Sequence, residues 1–301
     1  MERKMCFHGF ARSLAAIVLA SIGVAAAQGP VKLTHVHGLS YSPDGKQLMI
    51  PSHHGIAVYE GGRWSKAPGP LHDYMGFSAT AGNIYSSGHP APGSSAVNPF
   101  GLIRSRDGGK TWEKLGLEGE TDFHLLATGW NTNVIYVWNP APSARMPQSG
   151  LHFSGSDGFA WKKPAAEKLE GEPRALAVHP DDRATVAVAT TKGIFLSRDW
   201  GEHFTPAAAG VEGLAVFFDL DGKHLWYGAF DGRPRLARVA LADGKARQIA
   251  LPPLERDAVS HIAQNPVRRA EYAIATFGRS VFISRDSAAA WKAIAERGDG
   301  K

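Results

Sequence analysis

Only one cysteine occurs in the chain, Cys6, and it falls in an N-terminal stretch that reads as a removable leader. No disulfide can form in what remains, so the fold must be held by packing and hydrogen bonds. Cys6 also lacks the small-residue context of a lipid-attachment site. There is no run of like charge, no heptad repeat, and no second apolar stretch long enough to span a bilayer. Lysine and arginine (33) exceed aspartate and glutamate (28) for a formal net charge of +5, but they are scattered and form no stripe with aromatic residues. A nucleic-acid partner is therefore not expected.

The leader covers residues 1–27. Arg3, Lys4 and Arg12 make a positive start, Leu14 to Val24 is an apolar run too short for an anchor, and Ala25-Ala26-Ala27 supplies a small-residue cleavage site. Residues 28–301 are then expected in the periplasm or outside the cell, not spanning the membrane, as one domain.

What the chain does contain is a repeat. Ser105-Arg106-Asp107-Gly108-Gly109-Lys110-Thr111-Trp112 fits S-x-D-x-G-x-T-W at every fixed position, the Asp-box pattern. In such a turn the Asp folds back onto backbone N–H groups, a glycine supplies the permissive backbone, and the Trp covers the hairpin. Weaker copies start at Ser154, Ser197 and Ser284, two steps in the forties followed by one about twice as long. A degenerate unit around Leu225–Phe230 and Arg235–Leu241 fills the long gap, and another, with Gly61-Gly62-Arg63-Trp64 in place of the box, precedes the first. Six repeats of short strands and regular turns predict an all-β six-bladed β-propeller, with blades at about 36–66, 72–115, 122–165, 172–209, 211–251 and 257–295. Val31-Lys32-Leu33 either adds a strand to the last blade or leaves closure to blade packing. Trp112, Trp161 and Trp291 are expected in equivalent buried positions, and Trp130, Trp138 and Trp226 in blade packing.

Propeller topology turns position into place. The start of each innermost strand and the loop between second and third strands share one face, and the Asp boxes lie on the other. On the first face fall His35 and His37 before blade 1, His53 and His54 in its second loop, His72 at the start of blade 2, His89 in its loop, and His124 at the start of blade 3. Met75 and Met146 map there too. His35 and His37, two apart on an extended segment, point the same way. Imidazole is a good ligand for copper and zinc, and nearby methionine sulfur leans toward copper. The expected metal set is thus His35, His37, His53, His54, His72, Met75, His89 and His124. Each of these side chains could instead merely bond a strand-end carbonyl.

A glycosidase on the same face would need two carboxylates, about 5 Å apart for retention or about 6.5–9.5 Å for inversion. Asp73, Asp122 and Glu172 head the candidates, followed by Glu212, Asp231 and Asp257, and nothing in their spacing singles out a pair.

With its boxes, its leader, and the phrases His37-Gly38-Leu39-Ser40-Tyr41-Ser42-Pro43-Asp44-Gly45, His72-Asp73-Tyr74-Met75-Gly76-Phe77, Ser87-Gly88-His89-Pro90 and Asp122-Phe123-His124-Leu125, the chain resembles bacterial secreted Asp-box (BNR-repeat) propellers. These are usually labelled glycosyl hydrolase or sialidase-like. More distantly it is similar to photosystem II stability and assembly factor propellers and to the sortilin propeller. The resemblance implies fold more than activity. The Arg-Ile-Pro motif of sialidases is absent, and their arginine trio and Tyr-Glu pair find no residue-by-residue match. The leading expectation is a non-catalytic exported propeller that binds a transition metal, copper ahead of zinc, in metal handling or in assembly of an envelope protein. The alternatives are a glycoside hydrolase or carbohydrate-binding propeller, and a metal-free protein-interaction scaffold.

Overall fold

A computed structural model describes residues 1–2 and 31–301; the leader, apart from its first two residues, lies outside them. Six antiparallel sheets follow one another along the chain. Blade 1 is β1 to β4 (Ser40–Tyr41, Leu48–Ser52, Gly55–Glu60, Arg63–Lys66), and blade 2 is β5 to β8 (Asp73–Ala79, Ile84–His89, Leu102–Ser105, Glu113–Gly116). Blade 3 is β9 to β11 (Leu126–Thr128, Ile135–Asn139, Gly150–Ser154), and blade 4 is β12 to β15 (Pro173–Val178, Val186–Thr190, Gly193–Ser197, Thr205–Ala209). Blade 5 is β16 to β19 (Glu212–Phe218, His224–Phe230, Pro234–Ala240, Ala246–Gln248). Blade 6 is β20 to β24 (Val259–Gln264, Tyr272–Thr276, Val281–Ser284, Lys292–Glu296, Asp299–Gly300). Within each blade, strands pair with their chain neighbours in order, so the six-bladed propeller read from the repeat is the fold.

The inner strands are buried on both sides, as β2, β13 and β21 are throughout, which gives each blade two greasy faces, and six clusters bury them pairwise. Ile56 and Met49 meet Tyr74 and Phe77 between blades 1 and 2, and Tyr85 and Leu102 meet Phe123 and Ile135 between blades 2 and 3. Equivalent clusters join blades 3 to 4, 4 to 5 and 5 to 6. The sixth joins blade 6 back to blade 1 through Ile283 and Ile294 against Leu39 and Tyr41.

That last seam also takes in Val31 and Leu33. Lys32 bridges Asp299 of β24, and Leu33 N–H donates to Gly298 O at 2.7 Å. The N-terminal segment therefore does add to the last blade, though outside a fifth strand that the sequence did not suggest. Trp64 of blade 1 ties the seam further by donating its Nε1–H to Ile294 O at 2.9 Å.

The repeated turns share one hydrogen-bond scheme. Asp107 accepts from Ser105 Oγ and Thr111 N, while Ser105 Oγ accepts from Gly109 N. Ser197 with Asp199, and Ser284 with Asp286, repeat it. In the Ser154 turn Ser156 takes the aspartate's place, accepting from Ala160 N at 3.1 Å. Asp157 points away to Arg104 and Tyr85. Gly109 holds φ at +88°, where a side chain would be strained.

Two expectations need correction. Trp112, Trp161 and Trp291 are half-buried, because each covers its turn with only part of its ring packed, as Trp112 is on Tyr74 and Trp161 on Phe123. Met146, expected on the histidine face, is buried between blades 2 and 3. Blade 3 has only three strands; its outer position shrinks to one bridge between Phe153 and Lys162. Pro164 follows two residues later and lacks the N–H that a longer ladder would need.

Leu33 is fully buried at the closing seam. Leu33→Ala should cost about 2–5 kcal/mol of unfolding free energy in urea titrations, whereas a loss below about 0.5 kcal/mol would mean the seam is not needed for closure.

Candidate functional site

The mouth of the ring is where innermost strands begin, and here the side chains of blades 1 to 3 meet. His35 and His37 approach β1 in extended conformation, with His37 N–H donating to Pro51 O at 3.1 Å. His53 stands in the two-residue turn between β2 and β3. Their rings converge: centroids lie 4.9 Å apart for His35 and His37, 4.8 Å for His35 and His53, and 4.8 Å for His37 and His53. One nitrogen from each lies within 4.8 Å of the other two. Ligands about 2.0–2.1 Å from one ion lie no more than about 4 Å apart, so a small inward turn of the rings completes a three-nitrogen site.

Asp73, the first residue of β5, orients this trio from the next blade. Its Oδ2 accepts from His53 Nδ1 at 2.8 Å, which fixes the proton on Nδ1 and leaves Nε2 with a free lone pair. Asp73 Oδ1 faces His37 Nε2 at 3.5 Å, and both atoms are buried without a hydrogen-bond partner. Leaving such groups unpaired costs about 1–3 kcal/mol each, a cost that a bound cation would remove.

A second group gathers at the junction of blades 2 and 3. His89 ends β6, and Asp122 and His124 precede β9. Asp122 Oδ2 lies 3.0 Å from His89 Nε2 and 2.7 Å from His124 Nε2. The three can offer ligand atoms within 4.8 Å of one another.

The remaining predicted residues are placed otherwise. His54 is exposed, its ring 6.5 Å from that of His53. His72 packs against Phe100 and its Nδ1 accepts from Ala91 N at 2.9 Å, so it braces the loop after β6. Met75 is buried within β5. Glu172 is exposed and 3.4 Å from Arg174, Asp231 forks onto Arg235, and Asp257 accepts from the N–H groups of Ala258 and Gly278. Glu212 opens β16, half-buried. Of the six carboxylates, Asp73 and Asp122 alone stand among the histidine groups.

Below the mouth lies a cavity of about 250 Å³ along the axis, lined among others by His37, His124, His261, Arg174 and Trp130. The sequence reading missed a third group, Asp219, Asp221 and His224, on the opposite face. The i, i+2 carboxylates before a histidine were its only signal. Asp219 is already engaged there, accepting from Trp226 Nε1 at 2.7 Å and Tyr272 OH at 2.8 Å.

Burial lowers the pKa of His37 to about 4; Asp73 pulls the other way, and His35, His53 and His124 add to the lowering. His124 is raised by its bond to Asp122, and His261 is lowered to about 4 by burial. His37 is therefore neutral throughout the physiological range, with its lone pair available.

No protein-family model and no curated protein matches the chain significantly. Solved structures do match in shape. A GH74 enzyme of Niastella koreensis aligns over 88% of this chain and 46% of its own, with a TM-score of 0.61 and 15% identity. An ancestral GH74 enzyme aligns over 89% and 39%, with 0.54 and 12%. YCF48 bound to D1 peptide aligns over 87% and 84%, with 0.50 and 16%. The chain thus spans less than half the length of each of the two enzymes, and at these identities the likeness is one of fold. The class defined is an all-β six-bladed propeller with His/Asp groups able to chelate a metal ion at its mouth. Among the described residues no helix is long and apolar enough to cross a membrane.

The depressed His37 pKa has a stability consequence in chelator-treated protein. Unfolded histidine titrates near 6.5, so as pH falls the unfolded chain takes the proton first. The contribution of neutral His37 is complete above about pH 6.5 and is lost progressively toward pH 4. At about 1.4 kcal/mol per pH unit of separation, the loss is on the order of 3 kcal/mol. Urea denaturation between pH 7.5 and 4.5 should show a shallower fall for His37→Asn than for the native chain; identical slopes would mean that His37 is not buried as described.

Proposed function

We propose that the protein is an exported propeller, periplasmic or secreted, that binds a transition metal through His35, His37 and His53, with Asp73 orienting the ligands. The observation that carries this is the convergence of three imidazoles around a buried, unpartnered His37 nitrogen facing a buried, unpartnered carboxylate oxygen. An all-imidazole set suits copper and zinc, and copper stands higher in the affinity order. The ion would sit at the mouth, open to solvent and to a partner, as metal handling or the assembly of another envelope protein requires.

The purified protein, loaded with copper and zinc in turn and dialysed, should retain the ion that the trio holds. His37→Ala with His53→Ala should lose it while keeping the strand signature in circular dichroism. Asp73→Asn should weaken binding about 10–100-fold, as loss of an orienting carboxylate does. Full retention by the double variant would refute the assignment.

A second reading has its own support. Two of the solved structures that share the fold are of GH74 enzymes, and Asp73 and Asp122 both stand at the mouth. Under it the same face takes a polysaccharide, and the two carboxylates act as acid and base or nucleophile. Release of reducing sugar from a panel of polysaccharides in chelator-treated buffer, abolished by Asp122→Asn, would favour this reading; no release from any of them would remove it.

A further inference from the structure

We propose that the mouth carries two metal ions rather than one, the second held by His89, Asp122 and His124. It rests on the preceding reading only in taking the mouth as a metal-binding face; its ligands are separate. The donor set also differs. Two imidazoles with one carboxylate bring a negative charge that the all-histidine trio lacks, and the set suits a divalent first-row ion with open positions left for water or substrate.

Hydrogen bonding around His89 favours a cation at this point. Its Nδ1 lies 2.7 Å from Asn98 Oδ1, so the ring proton sits on Nδ1 and the Nε2 lone pair points outward. Yet Nε2 faces Asp122 Oδ2 at 3.0 Å. A lone pair and a carboxylate oxygen repel at that distance unless positive charge lies between them, either a proton that turns His89 into imidazolium or a metal ion that displaces it. His124 Nε2 converges on the same oxygen at 2.7 Å. The other oxygen, Asp122 Oδ1, is buried and has no partner. A carboxylate with one oxygen shared by two imidazoles and the other unmatched is short of positive charge. Asn98, holding the Nδ1 proton, is the outer group that a histidine ligand requires.

The two groups are neighbours by construction. Asp73, which orients the first, and His89, a ligand of the second, lie directly opposite each other in the β5–β6 ladder, and opposite residues put their side chains on the same face. Gly88 permits this, because a Cβ there would stand 2.1 Å from Asp73 O.

The test is stoichiometry with zinc alone, by calorimetry and metal analysis of the full chain. Two equivalents are expected for the native protein. One is expected for His124→Ala and for Asp122→Asn, and one for His37→Ala with His53→Ala. His124 is exposed, so His124→Ala should fold even if Asp122→Asn does not; melting curves check both. One equivalent in the native chain, retained in His124→Ala and Asp122→Asn but lost with the trio, overturns the second site and leaves the first. One equivalent lost with either set means a single shared site and also overturns the proposal. No zinc bound at all overturns both readings.

Discussion

Everything at the mouth depends on the face-to-face packing of six sheets in a closed ring. Each sheet is apolar on both faces and must be covered on both, and the six clusters do this pairwise with none left over. Closing the ring forces the innermost strands together around one axis. Loops from three different blades are thereby delivered to the same few ångströms, and rigid sheets behind them hold the side chains in place. The seam where blade 6 meets blade 1 matters doubly, because the segment that completes it, Val31 to Leu33, leads directly into His35 and His37.

At that mouth, burial and pairing work against each other in a way that suits a ligand. His37 is only 11% exposed and faces Asp73, yet their closest atoms are 3.5 Å apart and unbonded. Burial keeps the imidazole neutral, which removes the proton that would compete with a metal ion. His53 is held in the complementary tautomer by the other oxygen of the same carboxylate. Asp122 stands among His89 and His124 much as Asp73 stands among His37 and His53, so the mouth repeats one device across two blades.

The fold was legible because its signal is periodic: four serine-led turns and two degenerate units counted six blades and set their limits within a few residues. The face was legible too, since strand order alone places His35, His37, His53, His89 and His124 on one side. The grouping was not. Whether seven histidines form one site or two depends on the rotation between neighbouring blades and on side-chain rotamers, and neither leaves a mark in spacing. His72 shows the limit, for it shares a face with the others but turns back to accept from Ala91 N. The turn tryptophans show another, since the motif fixes which residue covers the turn but not how much of its ring is covered in return. Ser156 in the place of an aspartate shows that a turn can keep its hydrogen bonds after losing its signature residue.

The central claim, that the histidine mouth is a metal site, is tested most directly by anomalous scattering from crystals soaked in copper or zinc, with data on either side of the absorption edge. The account predicts an anomalous peak about 2.0–2.1 Å from nitrogens of His35, His37 and His53, with Asp73 still bonded to His53. A mouth without an anomalous peak, in crystals where metal is bound elsewhere on the protein, would contradict it.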